Sequence, residues 1–430
     1  MKILLINPPN CGKSIPEERY GIDSIKQILR GEPLSLEVLA GALIDHDVKI
    51  VDLKAEDGLK EIAEDFCPDI ACITGMTCEA NTMISIAATI KKSVEPLIVV
   101  GGIHASNCPE FFNLPEIDYI VMGLGKASLR ELVSAVEMNK DAAGIPGVIR
   151  TMQGKPLEFI ARKYDKSDLL EEMPPRYDLV EGYRKNYYLP SLGIQMGFVV
   201  TAYGCPFGCS FCSIKGQTDG RYITHNVESV LRDIKLLGDI PFIRLVDANT
   251  FGNPDHSKLI CDKILEAGIR KNFLADVRAD TIVRNPEIMK AWKDAGLRAV
   301  IVGFEEINES RFLKMNKKSD LSQNIEAIQI LKDLGISIVG DFIVDPDYDE
   351  NEFNNLSRFI DDNKIDLPMF TILTPIPGTP LYSRLKDKII IDDLDYYTLT
   401  NAVLPTRMEE NIFYEKYSEL LSTGHQAAAI

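Results

Sequence analysis

No stretch of the 430 residues reaches the ~18 consecutive apolar side chains that a membrane-spanning helix requires. The opening run Met1-Lys2-Ile3-Leu4-Leu5-Ile6-Asn7, stopped by Pro8-Pro9, is too short for the apolar core of a signal peptide with its cleavage site. Basic residues are in deficit, 47 Lys and Arg against 64 Asp and Glu, and the net charge of −17 argues against nucleic acid as the principal partner, because phosphate binding needs a basic surface. A secreted disulfide framework is missing as well: the nine cysteines are odd in number, and Cys11, Cys67, Cys72, Cys78, Cys108 and Cys261 are scattered. There is no second Cys-x2-Cys and no His-x3-His, which a closed structural zinc site would need, and no helix-turn-helix or kinase signature. These absences leave a soluble protein, expected in the cytoplasm, with two or three domains by length.

What is present is concentrated in Thr201-Ala202-Tyr203-Gly204-Cys205-Pro206-Phe207-Gly208-Cys209-Ser210-Phe211-Cys212, directly after the apolar run Met196-Gly197-Phe198-Val199-Val200. Soft thiolates select zinc, copper(I) or iron–sulfur clusters, and a loop containing Pro206 and Gly208 can turn its sulfurs towards one point. Without a fourth protein ligand, a 4Fe-4S cluster on three cysteines leaves one iron open for chemistry. The competing reading is three small buried hydrophobes. Cys205-x3-Cys209-x2-Cys212, with Phe211 before the last cysteine, resembles the signature of the radical S-adenosylmethionine (SAM) superfamily. The resemblance implies Cys205, Cys209 and Cys212 as cluster ligands, with SAM chelated by the open iron and cleaved by one electron to a 5′-deoxyadenosyl radical.

Before this loop, residues 1–140 alternate strands and helices: Lys2–Asn7, Val48–Leu53, Ile70–Thr74, Leu97–Val100 and Tyr119–Met122 read as strands, with amphipathic segments between them. That alternation predicts a parallel sheet covered on both faces, Rossmann-like or flavodoxin-like, with ligands at the carboxyl ends of its strands. Glycine-containing loops fall there, and by spacing alone they could merely form tight turns. Asn7-Pro8-Pro9, Pro33-Leu34-Ser35-Leu36, Val51-Asp52, Gly101-Gly102-x-His104 and Asp118-Tyr119-Ile120-Val121-x-Gly123-x-Gly125 together resemble the cobalamin-binding domain that precedes many radical SAM cores. The resemblance implies cobalamin contacts at Thr74, Gly75, Met76, Thr77, Gly101, Gly102, Ile103, His104, Gly123 and Gly125. Asp-x-His-x-x-Gly is absent, so a histidine replacing the lower cobalt ligand is unsupported, and His104 is expected to be a strand-end imidazole rather than a ligand. Leu124 and Lys126 stand where relatives carry acids.

Residues 141–190 read as a linker, with a hairpin around Gln153-Gly154, an extended Pro174-Pro175, and Tyr177, Tyr183, Tyr187 and Tyr188 expected to pack across the interdomain cleft. From 191 to 385 six βα units predict an open, partial (β/α)6 TIM-type barrel, with active residues at the strands' carboxyl ends. Asp247 with Asn249, Asp276 with Arg278, Gly303-x-Glu305, Asp341 and Asp345 fall there. Each carboxylate has the alternative role of strand-end cap or ion-pair partner. By resemblance, Asp247, Arg278, Gly303 and Glu305 are candidates for SAM contacts and Phe211 for the adenine. Arg278 has the planar fork that suits a carboxylate. Tyr203 stands where relatives often carry Arg. In the C-terminal extension, 386–430, Ile389–Ile391 reads as a short strand, Thr406-x-x-Glu409 as a capping box, and Met408 to Leu421 as an apolar helical stripe, with 425–430 loose.

The pairing of a Rossmann-like cobalamin domain with a radical SAM barrel implies class B methylation. In that family cobalamin takes a methyl from one SAM, a second SAM yields the radical that removes a hydrogen from substrate, and the substrate carbon then takes the methyl. A low-potential donor such as ferredoxin or flavodoxin is implied. The substrate is expected to be a peptide or protein side chain, as in post-translational methylation of a glutamine of methyl-coenzyme M reductase; a tetrapyrrole, lipid or natural-product precursor is the alternative, by methylation, cyclisation or oxidation. A cobalamin- and cluster-binding sensor without turnover is a different class, and it would ordinarily need an output module.

Overall fold

The structure is a computed structural model and describes residues 1–22, 31–189, 194–317 and 319–427. The first sheet contains β1 (Lys2–Asn7), β2 (Asp47–Asp52), β3 (Ile70–Thr74), β4 (Leu97–Gly101), β5 (Tyr119–Val121) and β6 (Val148–Arg150), in the order β2-β1-β3-β4-β5-β6. The first five strands run parallel, in the flavodoxin-like order. Their continuous apolar sequences follow from burial on both faces: Leu4 and Ile6 enter one core, Ile3 and Leu5 the other. Reversal of strand order between β1 and β3 opens a crevice at the carboxyl end. The hairpin around Gln153-Gly154 does not form. Val148–Arg150 instead pairs antiparallel with β5, where Ile149 is fully buried and closes an otherwise open apolar edge.

The linker crosses the cleft through its tyrosines, as expected. Tyr177 Oη donates to the Phe198 carbonyl at 2.9 Å and Tyr187 Oη to Asp52 at 2.9 Å. Lys126 likewise ties the last glycine loop to the linker, donating to the carbonyls of Leu170 and Met173 at 2.8 and 2.9 Å.

After β7 (Tyr188–Leu189) come β8 (Ile194–Val199), the short antiparallel pair β9 (Ala202–Gly204) and β10 (Tyr222–Thr224), then β11 (Phe242–Leu245), β12 (Asn272–Arg278), β13 (Leu297–Glu305), β14 (Ser337–Val344) and β15 (Leu367–Ile372). The large sheet runs β15-β14-β13-β12-β11-β8-β7. Six parallel strands in chain order, edged by β15 on one side and by β7, antiparallel to β8, on the other, make the expected partial barrel. The pleat divides each strand. Ile243 and Leu245 of β11, Phe273 and Ala275 of β12, Val300 and Val302 of β13, and Ile338 and Phe342 of β14 face outward into one helix-covered core. The alternating positions Arg244, Asp276, Gly303 and Asp341 therefore face the lumen.

The C-terminal extension binds both units. Helix Glu410–Ala427 packs on β15, and Tyr417 Oη donates to the Phe370 carbonyl at 2.9 Å. Upstream, Leu394, Tyr397 and Val403 join the core of the first sheet. Asn401, fully buried, accepts from the Ile15 amide at 2.8 Å and donates to the carbonyls of Lys13 and Tyr396 at 2.8 and 2.9 Å. Three expectations for this extension fail. Ile389–Ile391 is no strand: the Ile389 amide turns back to the Lys386 carbonyl and the Ile390 amide bonds to the Val403 carbonyl. Thr406 does not cap the helix, because its hydroxyl is bonded to the Met408 carbonyl and the helix starts at Glu410. Residues 425–427 continue the helix, and 428–430 lie outside the described residues.

Asn401→Ala strands a buried amide and two carbonyls, at a cost of about 1–3 kcal/mol. It is expected to lower the urea unfolding midpoint more than Tyr417→Phe, which deletes one hydroxyl. Equal midpoints in the two variants would refute Asn401 as the hub of the extension.

Candidate functional site

The cysteine loop leaves β9 and ends at the short helix Lys215–Thr218. Its entry is fixed by Asp247, just beyond β11, whose carboxylate accepts from the Thr201 amide and hydroxyl, both at 2.6 Å, and from the Ala202 amide at 2.9 Å. Asp247 is buried and spends both oxygens on this cap, the alternative that the sequence left open. The loop itself is gripped through its backbone. The Ser210 amide donates to the Met315 carbonyl at 2.9 Å, the Leu381 amide to the Ser210 carbonyl at 2.8 Å, and Asn316 Nδ2 to the Gly208 carbonyl at 2.7 Å. Cys205, Cys209 and Cys212 are all half-buried free thiols. Burial pushes Cys212 up to about 11 and raises Cys205, so metal binding there would displace protons. Among the described residues, no three Cys, His, Asp or Glu side chains already converge as a metal-ligand set. The loop carries three free thiols that have not closed on a common centre.

Two candidate residues stand at the neighbouring strand ends. Arg278, at the end of β12, donates from Nε to Asp280 at 2.8 Å and from Nη1 to the Cys209 sulfur at 3.7 Å, and its guanidinium lies 3.7 Å from the centroid of the Phe207 ring. Its Nη2 is buried without a partner. Glu305 has a positive φ of 65° at a register shift between β13 and β14. There it accepts from Lys317 Nζ at 2.7 Å, and the same ammonium bonds to the Gly303 carbonyl. Phe211 packs against Met315, Ile343, Leu373 and Leu381 at the carboxyl ends of β14 and β15. The barrel thus brings Arg278 against Cys209 and fixes Gly303 and Glu305 as one unit. An orphaned guanidinium nitrogen on a side chain bonded to the Cys209 thiol suits a cluster carrying a ligand with a carboxylate.

Deeper in the lumen, Arg244 is paired with Asp276. The side chain of Asp341, on β14 opposite Gly303, has no hydrogen-bond or ion-pair partner among the described residues. Burial, followed by the charges of Glu305 and Asp276, pushes its carboxyl up to about 8.

A cavity of about 490 Å³ opens between the first sheet and the barrel. Thr74, Gly75, Met76, Gly101, Gly102, Ile103, Gly123 and Gly125 line it from the sheet, with Phe198, Tyr203 and Gln217 from the barrel. Gly102, at φ 95°, has no room for a side chain: a Cβ would lie 2.7 Å from the Gly75 carbonyl oxygen. A cradle of bare backbone fits a large flat cofactor held by shape. Thr77 and His104 are not in the lining. His104 is buried behind it, Nδ1 3.3 Å from Thr77 Oγ1, and wedged against Phe111 and Phe112 at ring distances of 5.1 and 5.7 Å. Burial lowers its pKa to about 4, so the imidazole is neutral. Asn107 clasps cavity and cysteine loop together, donating to the Ser213 carbonyl at 3.1 Å. Tyr203 lines the cavity two positions before Cys205.

Lys317, Arg244, Asn107 and Gln217 were not singled out by the sequence reading. Arg244 carried a signal, as a lone charge at the alternate position of the apolar strand Phe-Ile-Arg-Leu. The others depend on chain-distant partners.

Comparison with known proteins agrees with this geometry. Residues 199–360 match the radical SAM superfamily and residues 26–133 the B12 binding domain. The hopanoid C-3 methylase of Methylococcus capsulatus is 30% identical over 93% of this chain and 76% of that protein. An uncharacterized methyltransferase of Pyrococcus horikoshii is 32% identical over 99% of this chain and 92% of its own length. The bacteriochlorophyllide d C-12(1)-methyltransferase of Chlorobaculum tepidum is 25% identical over 93% and 83%. Among solved structures, the radical SAM methyltransferase TsrM of Kitasatospora setae, with cobalamin and a [4Fe-4S] cluster bound, superposes with a TM-score of 0.69 at 20% identity over 90% of this chain and 74% of that one. The cobalamin-dependent SAM radical enzyme OxsB, with aqua-cobalamin and SAM bound, gives 0.73 at 15% identity over 99% and 71%. Both structures share the fold. With a three-cysteine loop at the mouth of a partial barrel, a backbone cradle facing it, and relatives aligned over nearly its whole length, the chain belongs to the cobalamin-dependent radical SAM methyltransferases.

Proposed function

We propose that this enzyme moves a methyl group from SAM, by way of cobalamin, onto an unactivated carbon of a substrate that brings a hydrogen-bonding group into the barrel. A peptide or protein side chain such as a glutamine of methyl-coenzyme M reductase fits that description. The observation that carries the reading is Asp341, a lumen carboxyl with no hydrogen-bond or ion-pair partner among the described residues, where Glu305 and Asp276 are paired with Lys317 and Arg244. At neutral pH it is mostly protonated and can donate to a carbonyl, as an amide offers; a hydrocarbon skeleton would leave it unsatisfied.

The bound groups supply reductive cleavage of SAM and carriage of the methyl. The chain supplies position. Cys205, Cys209 and Cys212 would hold the cluster; Arg278, Gly303, Glu305 and Phe211 would hold SAM, with Asp247 fixing the loop on which they converge. The glycine loops would hold cobalamin by backbone and shape, with His104 supporting them from behind. Asn107 keeps the two cofactor regions facing one cavity, and closure of that cavity against water fixes which hydrogen meets the radical. A ferredoxin- or flavodoxin-type donor would supply the electron. A second reading, methylation of a tetrapyrrole or lipid, draws support from the relatives named for hopanoid and bacteriochlorophyllide methylation.

The test is anaerobic reconstitution with iron, sulfide and hydroxocobalamin, followed by mass spectrometry after reduction with SAM and, separately, a glutamine-containing peptide, a chlorophyllide and a hopanoid. The peptide is expected to gain one methyl as 5′-deoxyadenosine and S-adenosylhomocysteine form, and Cys209→Ala to abolish all three. Methylation confined to the chlorophyllide or hopanoid would transfer the assignment to the second reading.

His104→Ala is expected to leave the axial-ligand hyperfine pattern of bound cob(II)alamin in the EPR spectrum unchanged; loss of a nitrogen coupling would make His104 a cobalt ligand. Asp341 provides a pH test. Its folded pKa of about 8 lies above the ~3.9 of a free aspartate. The unfolded chain therefore releases this proton first, and the group's contribution to stability shrinks as pH rises from about 4 to about 8. Asp341→Asn removes that loss, so its melting temperature should exceed that of the native chain increasingly across this window and converge with it near pH 4. A pH-independent gap would mean that the native carboxyl ionises normally.

A further inference from the structure

The geometry points to Arg278 as a residue that sets the reduction potential of the cluster, a role separate from any contact with SAM. This rests on the reading that Cys205, Cys209 and Cys212 hold a 4Fe-4S cluster. Among the described residues, Arg278 is the cation that hydrogen-bonds to one of those thiols, Nη1 to the Cys209 sulfur at 3.7 Å. The other cations nearby are engaged elsewhere: Lys317 is bound to Gly303 and Glu305, and the Lys314 side chain is exposed.

Three features fix this guanidinium where it lies. Asp280, fully buried, holds Nε at 2.8 Å through a two-residue turn at the end of β12. Phe207, inside the cysteine loop, lies flat under the cation at 3.7 Å. Arg278 is itself only 7% exposed, so its charge is poorly screened by water. Reduction adds one negative charge to the cluster, delocalised over iron and sulfur. A fixed cation with an N–H directed at a ligand sulfur stabilises the reduced state more than the oxidised one and raises the potential. Asp280 opposes part of this, but Arg284 also engages it, at 3.1 Å, leaving the guanidinium as the charge nearest the sulfur. The electrostatic effect requires no SAM, and this separates it from a carboxylate-binding role.

The experiment is an EPR-monitored redox titration of the reconstituted full-length chain, first without SAM and then with it, for native, Arg278→Lys and Arg278→Met proteins, with iron and sulfide content measured in each. The expected result is a lower SAM-free midpoint potential in Arg278→Met, with Arg278→Lys between it and the native protein, because lysine keeps the charge and loses the fork. A SAM-free potential in Arg278→Met equal to native overturns the proposal, even if SAM binding is weakened, because Arg278 would then act on SAM alone. Should Arg278→Met fail to assemble the cluster, Arg278→Lys decides: a lowered potential supports the assignment and an unchanged one overturns it. A native chain that assembles no cluster defeats the reading of the loop, and this inference with it; that outcome is recognised by iron content rather than by potential.

Discussion

The cysteine loop is held mainly by its backbone, with the Phe207 and Phe211 rings and the Cys209 sulfur as further side-chain contacts. Asp247 takes the amides that lead into it, and the 315–316 turn and residue 381 take the amide and carbonyl groups of Gly208 and Ser210. A loop fixed in this way leaves its three cysteines as free thiols, one of them accepting from Arg278, and free thiols are what an incomplete metal site requires. The apparently structural contacts of Asp247, Asn316 and Leu381 are thus the condition for the chemistry.

The second constraint is the pleat. A parallel strand covered by helices must be apolar on its outer face, and the period of two then leaves the inner face free to vary. Arg244, Asp276 and Asp341 occupy inner positions without disturbing the outer core. A family can exchange lumen residues, and so substrates, while the helices continue to pack against the same Ile, Val and Phe positions. The N-terminal sheet lacks this freedom, being buried on both faces, so its chemistry is confined to the loops beyond its strand ends.

These two constraints also explain what could be read from the sequence. The three cysteines, the two runs of alternating strand and helix, and the glycine loops are local patterns, and each led to the right element. His104 was legible as a strand-end imidazole, and the structure buries it behind the cavity lining, against Thr77. Other features depend on contacts distant in the chain. Val148–Arg150 carries the composition of a hairpin strand, and only the open edge of β5 turns it into a sixth strand. Thr406 has the spacing of a cap, but its hydroxyl found the Met408 carbonyl first. The engagement of Asp247 with Thr201 and Ala202 spans more than forty residues, and that of Lys317 with Gly303 and Glu305 depends on a backbone bulge that no propensity scale records.

The segment that carries Leu394, Tyr397, Asn401 and Val403 has a consequence for the order of assembly in the cell. Domains generally fold as they leave the ribosome, amino end first. Here the core of the first sheet is completed by side chains made about 250 residues after its last strand, by which time the barrel strands have already been made. The earlier unit must wait for the later one. The core of the first sheet is therefore complete only after the barrel strands have been made.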